Sequence, residues 1–199
     1  MIGENVGYTV IALSEMLIFY AVYFGKMLSQ RRHGIQTRQL GKNKNPHLRR
    51  VEINVSAATL AVVAIEVISI MFGLNHAPES IRLLGSIIAF CGDMVFFTAV
   101  VSMKDSWRAG IPAEDKTSLI TDGIYKYSRN PAFVGFDLVY IGLLCMYFNF
   151  LMLAVTVWAV VALHLQTIQE EEFLESAFGV RYLAYKKRTF RYFGCRRHR

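Results

Sequence analysis

Hydrophobic positions along this chain run in long stretches, without the alternation that marks half-buried strands. Windows of about 19 residues place the first stretch at residues 6–28, where Thr9, Ser14 and Glu15 are nearly the whole polar content. It exceeds the core of a signal peptide and no small-residue cleavage site follows, so it reads as a retained span. Two more stretches, at residues 51–74 and 81–103, flank the polar link Asn75-His76-Ala77-Pro78-Glu79, which predicts a tight helical hairpin. From residue 132 to 168 the chain stays apolar for about 55 Å of helix, too long for one untilted span. Two spans meeting near Asn149 are predicted instead. The pattern gives an all-α, polytopic membrane helix bundle of about five transmembrane helices with an interfacial C-terminal helix. Residues 1–103 hold three N-terminal spans, and residues 104–199 hold a polar loop, the helical hairpin and the final helix.

Composition narrows this picture. With 199 residues, 54% hydrophobic and 19% charged, there is room for one integral-membrane domain and not for a second globular one. Of the 22 Lys and Arg, all but Arg82 lie on one side of the five-span arrangement. The positive-inside rule makes that side cytoplasmic, with the N-terminus outside and the C-terminus inside. A net charge of +7 carried there fits contact with anionic lipid headgroups. No motif for nucleic-acid binding accompanies it. Cys91, Cys145 and Cys195 are widely separated and lack metal-ligand spacing, so neither a disulfide framework nor a metal site is expected.

Four acids, Glu15, Glu66, Asp93 and Asp137, fall within the predicted spans. Each costs roughly 2.5–3.5 kcal/mol near a helix centre unless neutralised or paired, so they are expected to face a polar chamber inside the bundle.

Two blocks carry the chemistry. The first, Asp122-Gly123-Ile124-Tyr125-Lys126-Tyr127-Ser128-Arg129-Asn130-Pro131-Ala132-Phe133-Val134-Gly135, joins a glycine turn to a helix that starts at Pro131. The positive end of that helix, with Arg129 beside it, suits an anion. The second runs from Gln166 through the acids Glu170, Glu171 and Glu172 to Phe178, Gly179, Tyr182 and Tyr185. Carboxylates there suit a cation, an amino group or ribose hydroxyls. The aromatic residues recur at helical spacing, as on an amphipathic helix with its basic residues turned outward.

Together the blocks resemble the isoprenylcysteine carboxyl methyltransferase family, with more distant similarity to phospholipid N-methyltransferases. Gly123, Tyr125, Arg129, Pro131 and Gly135 match the pattern G-x-Y-x-x-x-R-H-P-x-Y-x-G, with Asn130 and Phe133 replacing its His and Tyr. Glu170, Glu171, Leu174, Phe178, Gly179, Tyr182 and Tyr185 match E-E-x-x-L-x-x-x-F-G-x-x-Y-x-x-Y. The resemblance covers roughly the last 95 residues. It implies S-adenosyl-L-methionine as methyl donor and a lipid or prenylated acceptor arriving from the bilayer. Cofactor contacts carry over to Thr117, Ser118, Leu119, Ile120, Tyr125, Asn130, Pro131, Ala132, Phe133 and Glu170, and catalytic roles to Glu171, Gln166 and Arg129. The donor's carboxylate would meet the helix N-terminus and its ammonium would meet Glu170.

One departure bears on the acceptor. Family members acting on a prenylcysteine usually carry an Arg one turn before the glutamate pair, where this chain has Gln166, with His164 two residues earlier. A neutral amide cannot balance a buried carboxylate as Arg does. NADPH-dependent sterol or steroid reductases share a similar first block followed by Glu, where this chain has Phe136 and Asp137 after Gly135. A non-enzymatic membrane protein is the other alternative.

Overall fold

In the computed structural model, residues 2–40, 45–110 and 118–194 are described. Thr117 and Cys195 lie outside them. Five long helices form the bundle: α1 (Ile2–Arg32), α2 (Pro46–Met71), α3 (Glu79–Met103), α4 (Pro131–Met146) and α5 (Phe150–Phe178). A short sixth, α6 (Val180–Arg188), follows them, and 3-10 turns stand at Lys104–Ser106 and Gly123–Lys126. Local chemistry sets several boundaries. Asn45 accepts a bond from the His47 amide at 3.0 Å ahead of Pro46, and Asn149 accepts one from the Met152 amide at 2.9 Å. The break predicted near Asn149 is therefore a capped helix start. Its side-chain amide also reaches Ser69 Oγ at 2.9 Å, which fixes the α4–α5 turn to the end of α2.

Four of these helices are long and apolar enough to cross a membrane, whereas Pro131–Met146 is shorter. At 16 residues α4 spans about 24 Å, less than the roughly 30 Å of a hydrocarbon core. Its start is thus sunk relative to the ends of its neighbours. In compensation, α5 runs for 29 residues, about 44 Å, and carries its last turns past the start of α4. Large apolar side chains face outward: Leu17 and Leu60 are 71% exposed and Phe150 is 78% exposed. Such a surface has its solvent in a bilayer.

Helices α3 and α4 meet at backbone distance. A Cβ added to Gly142 would lie 2.5 Å from the Ala89 nitrogen, and one added to Gly135 would lie 2.7 Å from Phe96 Cβ. Small residues allow this approach, as at other membrane helix interfaces. Around it, Phe19, Phe96 and Phe136 form an aromatic core, with centroids 4.5 to 5.1 Å apart.

The buried acids separate into three places. Asp93 of α3 faces Glu15 of α1, Glu66 of α2 lies beside Tyr20 and Tyr140, and Asp137 of α4 lies near Tyr192 of the tail. In place of the single chamber expected from their positions in the sequence, Glu15 and Asp93 meet each other while Glu66 and Asp137 have other neighbours.

Candidate active site

A cleft opens where α3 ends and α4 begins, with about 800 Å³ of space counting its mouth. One wall comes from the end of α3 and the turn after it, through Met103, Ser106, Trp107, Arg108 and Gly110. Main-chain bonds brace that wall from α1. Gln39 donates to the Ala109 carbonyl at 2.8 Å, and the Gln30 side chain donates to the Trp107 carbonyl at 3.0 Å. Ser118, Leu119 and Ile120 also line the cleft, and the Ser118 amide donates to Ser106 Oγ at 3.3 Å. The remaining lining comes from Tyr125, Arg129, Asn130, Ala132 and Phe133 around the α4 start, from Glu170, Phe173 and Leu174 on α5, and from Tyr185 on α6.

Of the expected cofactor contacts, eight line this cleft: Ser118, Leu119, Ile120, Tyr125, Asn130, Ala132, Phe133 and Glu170. Pro131 is the first residue of α4, between two of them, and sets the helix direction. Met103, Trp107, Arg108 and Phe173 also line the cleft and were not legible from the motif blocks.

The glutamate pair divides. Successive helical residues point about 100° apart, and Glu170 and Glu171 meet different surroundings. Glu170 faces the cleft and accepts a bond from Gln166 Nε2 at 3.0 Å. Gln166 is buried and its Oε1 lacks a partner. Glu171 points the other way into a cage of donors. Arg129 reaches it through Nε and Nη2, both at 3.0 Å, Asn130 through Nδ2 at 2.8 Å, and Arg191 through Nε and Nη2 at 3.2 and 3.1 Å. Arg129 also donates to the Lys186 and Thr189 carbonyls. Its fork, read from sequence as open to an anion in the cleft, is thus engaged inside the protein. His164 is likewise engaged, through Nδ1, by the Tyr192 hydroxyl.

Helix α6 folds back over this assembly. Gly179, at φ 52°, ends α5 and redirects the chain, which any side chain would resist. Tyr182 and Tyr185 are buried in protein rather than laid on a membrane surface. The Tyr185 hydroxyl donates to the Tyr125 carbonyl at 2.7 Å. Burial holds the phenols of both Tyr125 and Tyr185 above their ordinary range, and each raises the other or is raised by a neighbouring tyrosine.

This geometry occupies the stretch that known proteins share. Residues 84–176 match the model of the isoprenylcysteine carboxyl methyltransferase (ICMT) family. Nearly half of the chain is thus similar to that family. Protein-S-isoprenylcysteine O-methyltransferase A of Arabidopsis thaliana is 31% identical over 106 residues, covering 51% of this chain and 53% of that protein. The B form from the same plant is 28% identical over 110 residues, 53% of this chain and 55% of its own length. The Schizosaccharomyces pombe protein-S-isoprenylcysteine O-methyltransferase is 37% identical over 74 residues, 36% of this chain and 30% of its own length. The chain spans about half the length of the plant relatives it matches. These names do not favour the reductase alternative. Within residues 84–176, the turns between α3 and α4 supply most of the cleft lining, the ends of α3, α4 and α5 supply the rest, and Tyr185 joins from beyond the matched stretch.

Proposed function

We propose that this chain is an S-adenosylmethionine-dependent methyltransferase whose donor occupies the cleft and whose acceptor is a prenylcysteine-like or other lipid-like molecule dissolved in the bilayer. One observation carries the reading: eight residues carried over from the family resemblance, five of them from two separated sequence blocks, line a single cleft. The lining suits the donor chemically. Glu170 offers a carboxylate whose bond from Gln166 is a neutral amide's, which leaves it suited to an ammonium. Trp107, Phe133 and Phe173 offer apolar and aromatic surface for an adenine ring, and the backbone of residues 118–120 offers polar edges.

When bound, the donor supplies a sulfonium-activated methyl group. The protein's part is to hold and orient. Glu170 and Tyr125 face the cleft together, Gln166 orients the Glu170 carboxylate, and the aromatic walls exclude water. Arg129 and Glu171, assigned to catalysis on resemblance, act here as positioning residues because each is held by the other. The bias of the Lys and Arg along the sequence supports a cytoplasmic cleft and C-terminus, an outside N-terminus and contact with anionic headgroups.

Calorimetry on the purified chain in detergent tests the reading. Saturable binding of S-adenosylmethionine, abolished in Glu170→Ala and weakened in Tyr125→Ala, is expected; no response to the donor or its demethylated product would overturn it. Transfer of a labelled methyl group into N-acetyl-S-farnesylcysteine or into a native lipid extract then separates the acceptor classes.

A further inference from the structure

The tail after α6 lies beyond the family match, which ends at residue 176, yet it is wired into the cleft wall. The Arg129 amide donates to the Phe190 carbonyl at 3.0 Å, and the Gly194 amide donates to the Tyr127 carbonyl at 2.8 Å. Asn130 Nδ2 and Ser128 Oγ donate to the Arg191 carbonyl at 3.2 and 3.3 Å. The Arg191 guanidinium closes the loop of contacts on Glu171 Oε2, leaving Oε1 to Asn130 and Arg129. One residue of the tail therefore holds Asn130 directly through its carbonyl and indirectly through the carboxylate that Asn130 and Arg129 share. Both of those residues line the cleft.

Exposure separates this arrangement from plain structural glue. The Arg191 side chain is 35% exposed, against 8% for Arg129 and 3% for Glu171. The Arg129–Glu171 pair is the buried one, and removing either partner leaves an uncompensated charge. Arg191 sits outside that pair, where solvent screens its contribution to global stability. Its effect falls on geometry, because its fork is the second one on Glu171, beside that of Arg129, and the two together fix the carboxylate to which Asn130 donates.

We infer that Arg191 is a positioning residue for the donor cleft, acting through Glu171 and through its own carbonyl to set Arg129 and Asn130 in the wall. This rests on the donor occupying the cleft as proposed above. The tail is then part of the donor site, although no motif marks it.

The test uses the full chain in detergent. In Arg191→Gln, the Kd and KM for S-adenosylmethionine should rise roughly 10-fold to 100-fold, as expected for displaced positioning groups, while kcat falls less and the donor-free unfolding midpoint barely moves. Arg191→Lys, which keeps the charge but loses the fork, should recover part of the affinity. Hydrogen exchange of the donor-free protein should show faster exchange at residues 125–133 in Arg191→Gln. Donor affinity equal to the wild type, or an affinity loss matched by a large drop in the unfolding midpoint, would overturn the inference. Should the wild type bind no donor, the proposed function falls instead, and exchange alone decides the role of Arg191: unchanged rates at 125–133 would reject it.

Discussion

Gln166 donates to Glu170 Oε1 at 3.0 Å across one turn of α5. That neutral contact orients the carboxylate without cancelling its charge, and Glu52 of α2 adds negative potential from the neighbouring helix. The next residue, Glu171, meets two guanidinium groups. Two adjacent acids thus have opposite electrostatic settings: one is open to a cation from the cleft and the other is already neutralised.

Gln166→Arg should therefore weaken donor binding. An Arg one turn from Glu170 would pair with it before it reached any acceptor, and would compete with the donor's ammonium. A charge-assisted bond contributes about 1.5–3 kcal/mol, so the donor KM should rise roughly 10-fold to 100-fold. Initial rates against donor concentration, with N-acetyl-S-farnesylcysteine as acceptor, provide the check. Better use of that carboxylate acceptor at an unchanged donor KM would place Gln166 at the acceptor instead.

Glutamine at the two acidic positions should separate their roles. Glu171→Gln leaves Arg129, with 8% of its side chain exposed, beside a group that cannot balance it, and should destabilise the fold by about 3–5 kcal/mol. Glu170→Gln should change the unfolding midpoint little while removing donor affinity. Thermal unfolding in detergent read beside calorimetric titration distinguishes the pair; equal loss of stability in both variants would contradict the division.

Span-level organisation was legible because hydropathy reports what must face lipid, and that constraint acts residue by residue. Hence the hairpin at Asn149 and the link at Asn75 appear where the polar breaks predict them. The cleft was legible in the blocks whose backbone demands are local, such as Pro131 at a helix start. The orientation of Glu171 was not, since the doublet reads as a unit in one dimension and splits by about 100° on a helix. Nor was the tail: Arg191 and Tyr192 show no periodicity, and their partners Glu171 and His164 lie 20 and 28 residues away. The four intramembrane acids announced burial, but only the packing of α1 to α4 decides which of them meet.

Alkaline pH should loosen the α6 side of the cleft before the rest. Burial raises Tyr125, Tyr182 and Tyr185 above their unfolded value, so the folded state holds these protons more tightly than the unfolded chain does. Their contribution is complete below the ordinary tyrosine pKa of about 10 and declines above it, by up to about 1.4 kcal/mol per pH unit for each group. Unfolding midpoints should thus fall from about pH 10 upward, with tyrosinate absorbance for these residues appearing only on unfolding. Replacing Tyr185 with Phe should reduce that slope, and it also removes the bond to the Tyr125 carbonyl, worth about 0.5–1.5 kcal/mol. A slope that Tyr185→Phe leaves unaltered would mean that this phenol ionises freely in the fold.

Gly142→Ala should act on the cleft from a distance. The new Cβ would stand 2.5 Å from the Ala89 nitrogen and 2.6 Å from the Gly85 oxygen, both backbone atoms, so no side chain can move aside and the helices must part. Overpacking of this kind costs about 1–3 kcal/mol. Because α4 also carries Asn130, Ala132 and Phe133 at its other end, its displacement should weaken donor binding along with stability. Gly7→Ala, with nothing within 4 Å of its Cβ, serves as the control and should alter neither. If Gly142→Ala lowers the unfolding midpoint with donor affinity intact, the start of α4 is held by Arg129, Glu171 and the tail independently of its packing on α3.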